Sequence, residues 1–563
     1  MKNKNDTIIF KILFFLMVLT LPFMYIYPVL PFTIISGLFM KATTYFAVIA
    51  ICMYSIKQYK NNKNFTRVFV IYIFVLCTTY IISFVYGYYT FDFPELLISN
   101  IGGNAEKIFF LLCSKGINID RELYACLLTF CKFIIKETLI SSVILFGITW
   151  FVICLFNNKF NDAINIFNKA VLLILIVSAC YSIVEVGYVK GYKWPTESLA
   201  WINKHLYYIS TDNSVTWPPL LWGERFRSIF PECSYCAIFL SSVLPIYMLT
   251  FENDNKCNWV MNKLNYALLF CVFFLLFATD SKTAMVLIGC LIAYVVGLTI
   301  MNSSTFLYKG LTILLCIVVS GFSYFILVKT PYIIKAESPL VQASVINNLG
   351  GIKKWNIGYN SIPSKQYKLL NQTENNGDVV AKDGSSAERD INKYFEKNIY
   401  NVANVNYGSN SSRYGITFAE IRVWLDYPVW GTGSVALMQP YMYSRFPEFS
   451  DNEEIRRWKN FNIAKGVMSN HFPVLNGLTN QLASNGILCF LVFYSPLIYF
   501  IYIVTCKKWN SYSMKVRNIV CALLMSLFCI FVSCMSASLN LFLTYWIVLG
   551  ILGAVAYSDE FDE

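Results

Sequence analysis

The chain has 563 residues, 56% hydrophobic, 17% aromatic and 14% charged, with a formal net charge of +12 at pH 7. Soluble domains carry about 25% charged residues; here the deficit takes the form of repeated apolar runs of about 20 residues, the length that crosses a hydrocarbon core of about 30 Å. That excludes an ordinary soluble protein. In lipid the backbone must bond to itself, so the runs are predicted to be helices and the chain an all-α polytopic membrane protein.

Twelve spans are predicted, near 8–27, 36–56, 67–88, 137–156, 167–189, 234–251, 263–279, 283–301, 310–329, 486–505, 518–534 and 538–557. The first run, "IIFKILFFLMVLTLPFMYIY", is longer than a signal-peptide core and has no small-residue cleavage site after it, so it is expected to be retained. Between 92 and 136, "LLISNIGG" and "KIFFLLCSKG" are too short to cross and suit interfacial or re-entrant segments.

Lys and Arg in the short loops set the orientation. Lys2, Lys4, "KQYKNNKNFTR", Lys159, Lys169, Lys256, Lys263 and "KKWNSYSMKVR" all fall on one side when both termini are cytoplasmic. The alternate connections 28–35, 278–282 and 535–537 hold one Lys between them. Residues 190–233 and 330–474 are then extracytoplasmic, which divides the chain into a membrane domain 1–329, an outer loop 330–474 and a membrane domain 475–563. Nine of the 11 Arg lie outside in this arrangement. A solvated basic loop accounts for that; so does a phosphate-bearing ligand, which favours the planar guanidinium fork over a Lys point charge.

In chain order, the first outer acidic pair is Asp92 and Glu95, which can share a helix face. Next comes "LLWGERFRSIFPECSYCAIFL", where Glu224, Arg225, Arg227 and Glu232 cluster before the sixth span; such charges either snorkel to the interface or line a site. "CSYC" has redox spacing but opens a span, and most of the 18 Cys lie in apolar runs as small hydrophobes. "ATDSKTAM" places Asp280 and Lys282 at the same outer level.

From Val341 to Ser412 the outer loop is rich in Asn, Lys, Gly and Ser and reads as an insertion with little structure of its own. From Arg413 the character changes. Phe418, Ile421, Trp424 and Leu425 recur at helical spacing, so "RYGITFAEIRVWLD" is predicted to be an amphipathic helix ending before Pro428. Gly431 and Gly433 then permit a tight turn. Arg413 and Glu420, seven apart, are expected to share a face, with Arg422 toward its flank; a solvated face explains the pair equally well. "DNEE" at 451–454 runs into Arg456 and Arg457 and reads as solvated ion pairs. His471, one of two His, stands where the loop returns to the membrane, ahead of Asn476, Asn480, Gln481 and Asn485 at helical spacing.

Four elements in this order, "ERFRSIFPECSYCAIFL", "DSKTAMVLIG", "SSRYGITFAEIRVWLDYPVWGTG" and "SNHFPVLNGLTNQLASNGIL", resemble the O-antigen polymerase and O-antigen ligase superfamily, integral membrane glycosyltransferases of the GT-C type. In that family an Arg and an "EPS"-like element open one span and a Ser-Arg-Thr-like turn opens another. A large outer loop carries an Arg ahead of a Pro-x-x-Gly-x-Gly turn, and a His before the next span. The resemblance covers about residues 220–505; here "PECS" replaces "EPS" and Lys282 stands where an Arg is common.

The resemblance implies a transferase acting on polyprenyl-pyrophosphate-linked sugars. Arg413 is then catalytic; Arg225, Arg227, Lys282, Arg422 and Glu420 bind the substrate and its pyrophosphate. His471 is the base, and Glu232 the second candidate. No cofactor and no metal are expected, the outer cations doing that electrostatic work; Asp92 and Glu95 are the best placed metal candidates. The implied partners are an undecaprenyl-pyrophosphate-linked oligosaccharide, inner-membrane lipid, a chain-length regulator and a flippase, and no nucleic acid. The location is the bacterial inner membrane, with the site facing the periplasm. "PECSY" and the chain length favour a polymerase over a ligase that transfers the glycan to lipid A core. A secondary transporter would show related halves, and the sequence has no internal repeat.

Overall fold

Each apolar run forms a helix, because a backbone without water can satisfy its donors and acceptors only along its own axis. The computed structural model describes residues 4–26, 32–58, 63–90, 98, 101–190, 192–207, 225–251, 259–301, 303–329, 409–445, 452, 455–456, 458–460 and 474–558. Asp92, Glu95, Glu224, His471 and residues 341–408 of the predicted insertion lie outside them. Among the described residues every regular element is helical.

In chain order the helices are α1 Lys4–Leu19, α2 Ala42–Gln58, α3 Lys63–Thr90, α4 Gly103–Ser114, α5 Arg121–Phe156 and α6 Phe160–Val189. Then follow α7 Lys193–Leu206, α8 Cys233–Met248, α9 Trp259–Ala278, α10 Lys282–Met301 and α11 Ser303–Tyr324. The last five are α12 Ser409–Asp426, α13 Val435–Arg445, α14 Gly477–Tyr502, α15 Met514–Ser533 and α16 Leu543–Tyr557. Seven of them (α3, α5, α6, α10, α11, α14 and α15) are long and apolar enough to cross a membrane. The apolar parts of α1, α2, α8, α9 and α16 run 10–17 residues. At about 1.5 Å per residue these fall short of a core of about 30 Å.

The predicted span at 137–156 begins earlier than expected. α5 starts at Arg121, capped by Asp120, whose carboxylate accepts from Leu123 N, and passes through a π-helical stretch at Phe130–Ile140. Residues 121–136, which follow the two stretches assigned to interfacial structure, therefore belong to a long helix, while "KIFFLLCSKG" lies largely in the separate 12-residue helix α4. The tenth span also starts early, at Gly477, because Asn476 caps it by accepting from the amides of Leu478 and Thr479 at 3.1 and 3.2 Å.

α5 and α16 form the centre, and α16 is buried along almost its whole length. Lipid tails are as apolar as Leu, so tight packing rather than water exclusion joins such helices. Gly550 and Gly553 let α16 close on Val152 and Ile153 of α5, and Thr149 Oγ1 donates to Trp546 O at 2.9 Å. Phe146, Phe493 and Trp546 meet edge to face and carry this packing into α14. α3 and α11, by contrast, turn many large apolar side chains outward.

Contacts between distant loops define two ends of the bundle. At one end Lys41 Nζ donates to Leu541 O (3.1 Å), Phe226 N to Ala278 O (2.9 Å) and Gly477 N to Cys534 O (2.7 Å). At the other, Lys508 Nζ donates to Ser558 O at 2.9 Å. Every described candidate residue sits toward the first end.

Candidate functional site

The segment that brings Arg413 to the bundle is anchored through its backbone. α14 is broken at Gly486, which has φ 74° and ψ 176°. The hydrogen bonds lost there are remade by the turn after α12. Ile487 N donates to Pro428 O (2.9 Å), Leu488 N to Val429 O (3.3 Å) and Thr432 N to Ala483 O (3.0 Å). Ser83 Oγ of α3 donates to Trp430 O at 2.7 Å, so the turn is wedged between two membrane helices. A Cβ on Gly486 would lie 2.2 Å from Val429 O, and one on Gly431 (φ 66°) would lie 2.6 Å from Asn485 N. The Pro-x-x-Gly-x-Gly run thus splices a membrane helix, which leaves its glycines no room for a side chain.

α12 itself buries a face other than the predicted one. Ile416, Ala419, Glu420 and Val423 are buried, whereas Phe418 and Leu425 are 63% and 64% exposed. Glu420 accepts from Asn480 Nδ2 at 2.9 Å and from Thr479 Oγ1 at 2.5 Å, so it docks α12 onto α14. Burial pushes its carboxyl up to about 7, against the two hydrogen bonds. Arg422 is exposed. Two residues turn a helix by about 200°, so Arg422 faces away from Glu420 instead of flanking it.

The loop before α8 is held by a residue the sequence reading did not single out. Glu185 of α6 is buried, and its Oε1 accepts from Arg227 N at 2.9 Å and Ser228 N at 3.0 Å. Ser228 takes φ 52°, which forms a small nest of amides that suits a carboxylate. Arg227 is 2% exposed, donates from Nη1 to Phe230 O at 2.7 Å and lies over the Tyr207 ring. Tyr207 OH in turn donates to Ile229 O. The available signal for Glu185 was an acidic residue within an apolar run, which in a membrane protein marks function or a buried partner.

With Arg227 locked in that scaffold, Arg225 stays exposed and Glu232 half-buried on the same loop. Arg413 from α12 and Arg225 both act electrostatically on Glu232, and both act on Lys282 at the start of α10. Three chain segments therefore converge: the loop of Arg225 and Glu232 running into Tyr235 of α8, Lys282 at the start of α10, and Arg413 of α12, with Glu232 and Arg413 also acting electrostatically on Tyr235. Burial raises the Glu232 carboxyl above its ordinary value, while the Ser234 hydrogen bond and the Arg413 and Arg225 charges oppose the shift. Arg413 Nε is buried without a hydrogen-bond partner among the described residues. A buried charged donor left unpaired is costly and suits an anionic partner.

Of the predicted residues, Arg413, Arg225, Lys282 and Glu232 come together. Arg227 and Glu420 lie nearby as scaffold, and Arg422 stands apart. Asp280 accepts from Lys329 Nζ at 3.1 Å. Cys233 and Cys236 are buried free thiols. The polar positions after His471 are engaged within the fold: Asn476 as a cap, Asn480 on Glu420, and Gln481 Nε2 donating to Tyr80 OH at 3.1 Å. Among the described residues no three His, Cys, Asp or Glu side chains gather as a metal-holding set. No family model matches the chain, and comparison with curated proteins and with solved structures finds no match.

Proposed function

We propose that the chain is a membrane glycosyltransferase that joins polyprenyl-pyrophosphate-linked oligosaccharide units into a polysaccharide at the outer face of a bacterial inner membrane. One observation carries the reading. Three cations from three separate segments, Arg413, Arg225 and Lys282, meet beside a half-buried carboxylate, Glu232, at one end of a helical bundle. An anion of more than one charge fits such a cluster, and one group on it, Arg413 Nε, is buried and unpaired among the described residues.

In the reaction an acceptor hydroxyl attacks the anomeric carbon of the donor sugar. A C–O bond forms, the bond to the lipid pyrophosphate breaks, and the pyrophosphate leaves with the electron pair. Cations fixed where that charge develops stabilise the transition state without reorganising. The hydroxyl proton goes to a base. His471, which the family resemblance implies, has an imidazole suited to that task near neutral pH. Glu232 is the alternative acceptor among the described residues, its proton affinity already raised by burial. Twelve crossings, cytoplasmic termini and a periplasmic site belong to the same proposal. The break in α14 argues against transport, because the backbone of 428–432 fills it instead of leaving it open to a ligand.

The test is reconstitution of purified protein with an undecaprenyl-pyrophosphate-linked oligosaccharide. A ladder of products one repeat apart is expected. A single transfer to lipid A core would make the protein a ligase. Movement of the lipid across the bilayer with no new glycosidic bond would overturn the enzyme reading.

A further inference from the structure

Glu420 is a carboxylate sealed between an outer helix and a membrane helix, 1% exposed, and the two donors that meet it, Thr479 and Asn480, are both neutral. It lies two turns along α12 from Arg413. The same helix leads into the turn that splices α14 at Gly486. Around Glu420 the contact is mostly apolar, with Ile416, Ala419 and Val423 packed with Met438, Met442, Ile455 and Ala483; one further polar pair crosses it, Asn476 Nδ2 donating to Thr417 Oγ1 at 3.4 Å. We propose that Glu420 is a positioning residue whose protonation controls how tightly α12, and with it Arg413, is held on α14.

The charges around it are few. On α12 they are Arg413, Arg422 and Asp426, with Tyr414 also titratable. α13 contributes Arg445 and tyrosines, and the segment at Ile455 brings Arg456 and Lys459. α14 has no charged side chain anywhere along its length; its titratable groups are Cys489 and tyrosines. Among the described residues none of these charges compensates Glu420, whose ionisation is set by burial against two hydrogen bonds. An apolar helix interface with one uncompensated carboxyl accepts it readily when neutral and poorly when charged.

The sign follows from linkage. Docked, the carboxyl keeps its proton up to about pH 7; released into water it loses it near its ordinary 4.5. Docking therefore takes up a proton between those values. The contact is at full strength below pH 4.5, weakens as pH rises toward about 7, and loses nothing more above that. The loss is on the order of 100-fold in the docking equilibrium. Its meaning for catalysis rests on the glycosyl-transfer reading; the latch itself does not.

Hydrogen exchange on the full-length protein in lipid nanodiscs tests it, followed over 413–424 from about pH 5 to about pH 8.5 with intrinsic exchange chemistry corrected. Opening of this helix is expected to become up to about tenfold more frequent per pH unit and to level off near pH 7. Glu420→Gln keeps the shape but cannot ionise, and is expected to stay flat at the wild-type acid level. Thr479→Val removes a donor that favours the ionised form, so the levelling-off is expected to move to higher pH. A flat wild-type profile, a Gln variant that keeps the slope, or a Val variant that leaves the levelling-off point in place would each overturn the proposal. In a reconstituted polymerisation assay the wild type should lose rate as pH rises through the same window, and Glu420→Gln should not. An exchange step in a protein without transferase activity would discard the enzymatic reading and keep the latch; activity with flat exchange would do the reverse.

Discussion

Arg413 and Arg422 stand nine residues apart on one helix, two and a half turns, so they face opposite ways. Their environments differ accordingly: Arg413 is half-buried beside Glu232 and Lys282, and Arg422 is exposed. Arg413→Ala is expected to lower the turnover of polymer formation by about 10²–10³, the cost of removing one preorganised donor. Expression and insertion should be unchanged. Arg413→Lys should lose most activity, since a point charge cannot replace two parallel donors. Arg422→Ala, at an exposed position, should stay within roughly twofold of wild type. Initial rates on a lipid-linked oligosaccharide distinguish them: near-normal rates for Arg413→Lys would leave only net charge at that position, and an Arg422→Ala defect equal to that of Arg413→Ala would dissolve the distinction. The convergence of Arg413, Arg225, Lys282 and Glu232 was legible because each sits at a helix boundary within an ordered set of motifs. The separate fates of Arg225 and Arg227 were not, since they depend on Glu185, some 40 residues earlier, gripping the amides of Arg227 and Ser228.

At the scale of the element, the sequence pattern correctly ended α12 ahead of Pro428 and named the wrong buried face. Phe418 and Leu425 looked like the core because they are large and apolar, but beside a membrane an exposed apolar side chain need not be buried in protein. The true contact face carries Glu420, which a search for apolar spacing passes over. The break in α14 was hidden for another reason: "ASNGIL" reads as a continuous start to a span, and its partner lies over fifty residues earlier, at Pro428 and Val429. Gly486→Ala should be destabilising, by about 1–3 kcal/mol from the positive φ alone and more from the approach to Val429 O. Gly289 offers a control, since a Cβ there meets nothing within 4 Å. Thermal unfolding in detergent should show a lowered midpoint for Gly486→Ala and an unchanged or slightly raised one for Gly289→Ala. Equal midpoints would mean that the splice is not rigid.

For the whole molecule, composition alone called for apolar helices, and each predicted span falls on one. Lengths were less legible, because helix caps such as Asp120 and Asn476 lie outside the apolar windows and extend helices beyond them. Lys508 meets Ser558 at one end of the bundle, while Lys41, Phe226, Ala278, Gly477 and Cys534 gather at the other, and the alternation of basic and non-basic loops predicts which end faces the cytoplasm. A reporter within 341–412 should therefore lie outside the cell membrane and one within 57–66 inside. Labelling on the same side would end the argument from loop charge, and with it the reason for reading the outer Arg as phosphate ligands.

The splice at Gly486 also orders the birth of the protein. The 428–432 turn is synthesised before the helix whose hydrogen bonds it completes, and after α3, which supplies Ser83. Until α14 is made, Pro428 and Val429 lack the amides of Ile487 and Leu488 as donors, and until α14 meets the turn those amides lack their carbonyl partners. Each is the other's final folding partner. The cationic site at Arg413 therefore reaches its docked form only after α14 has been synthesised.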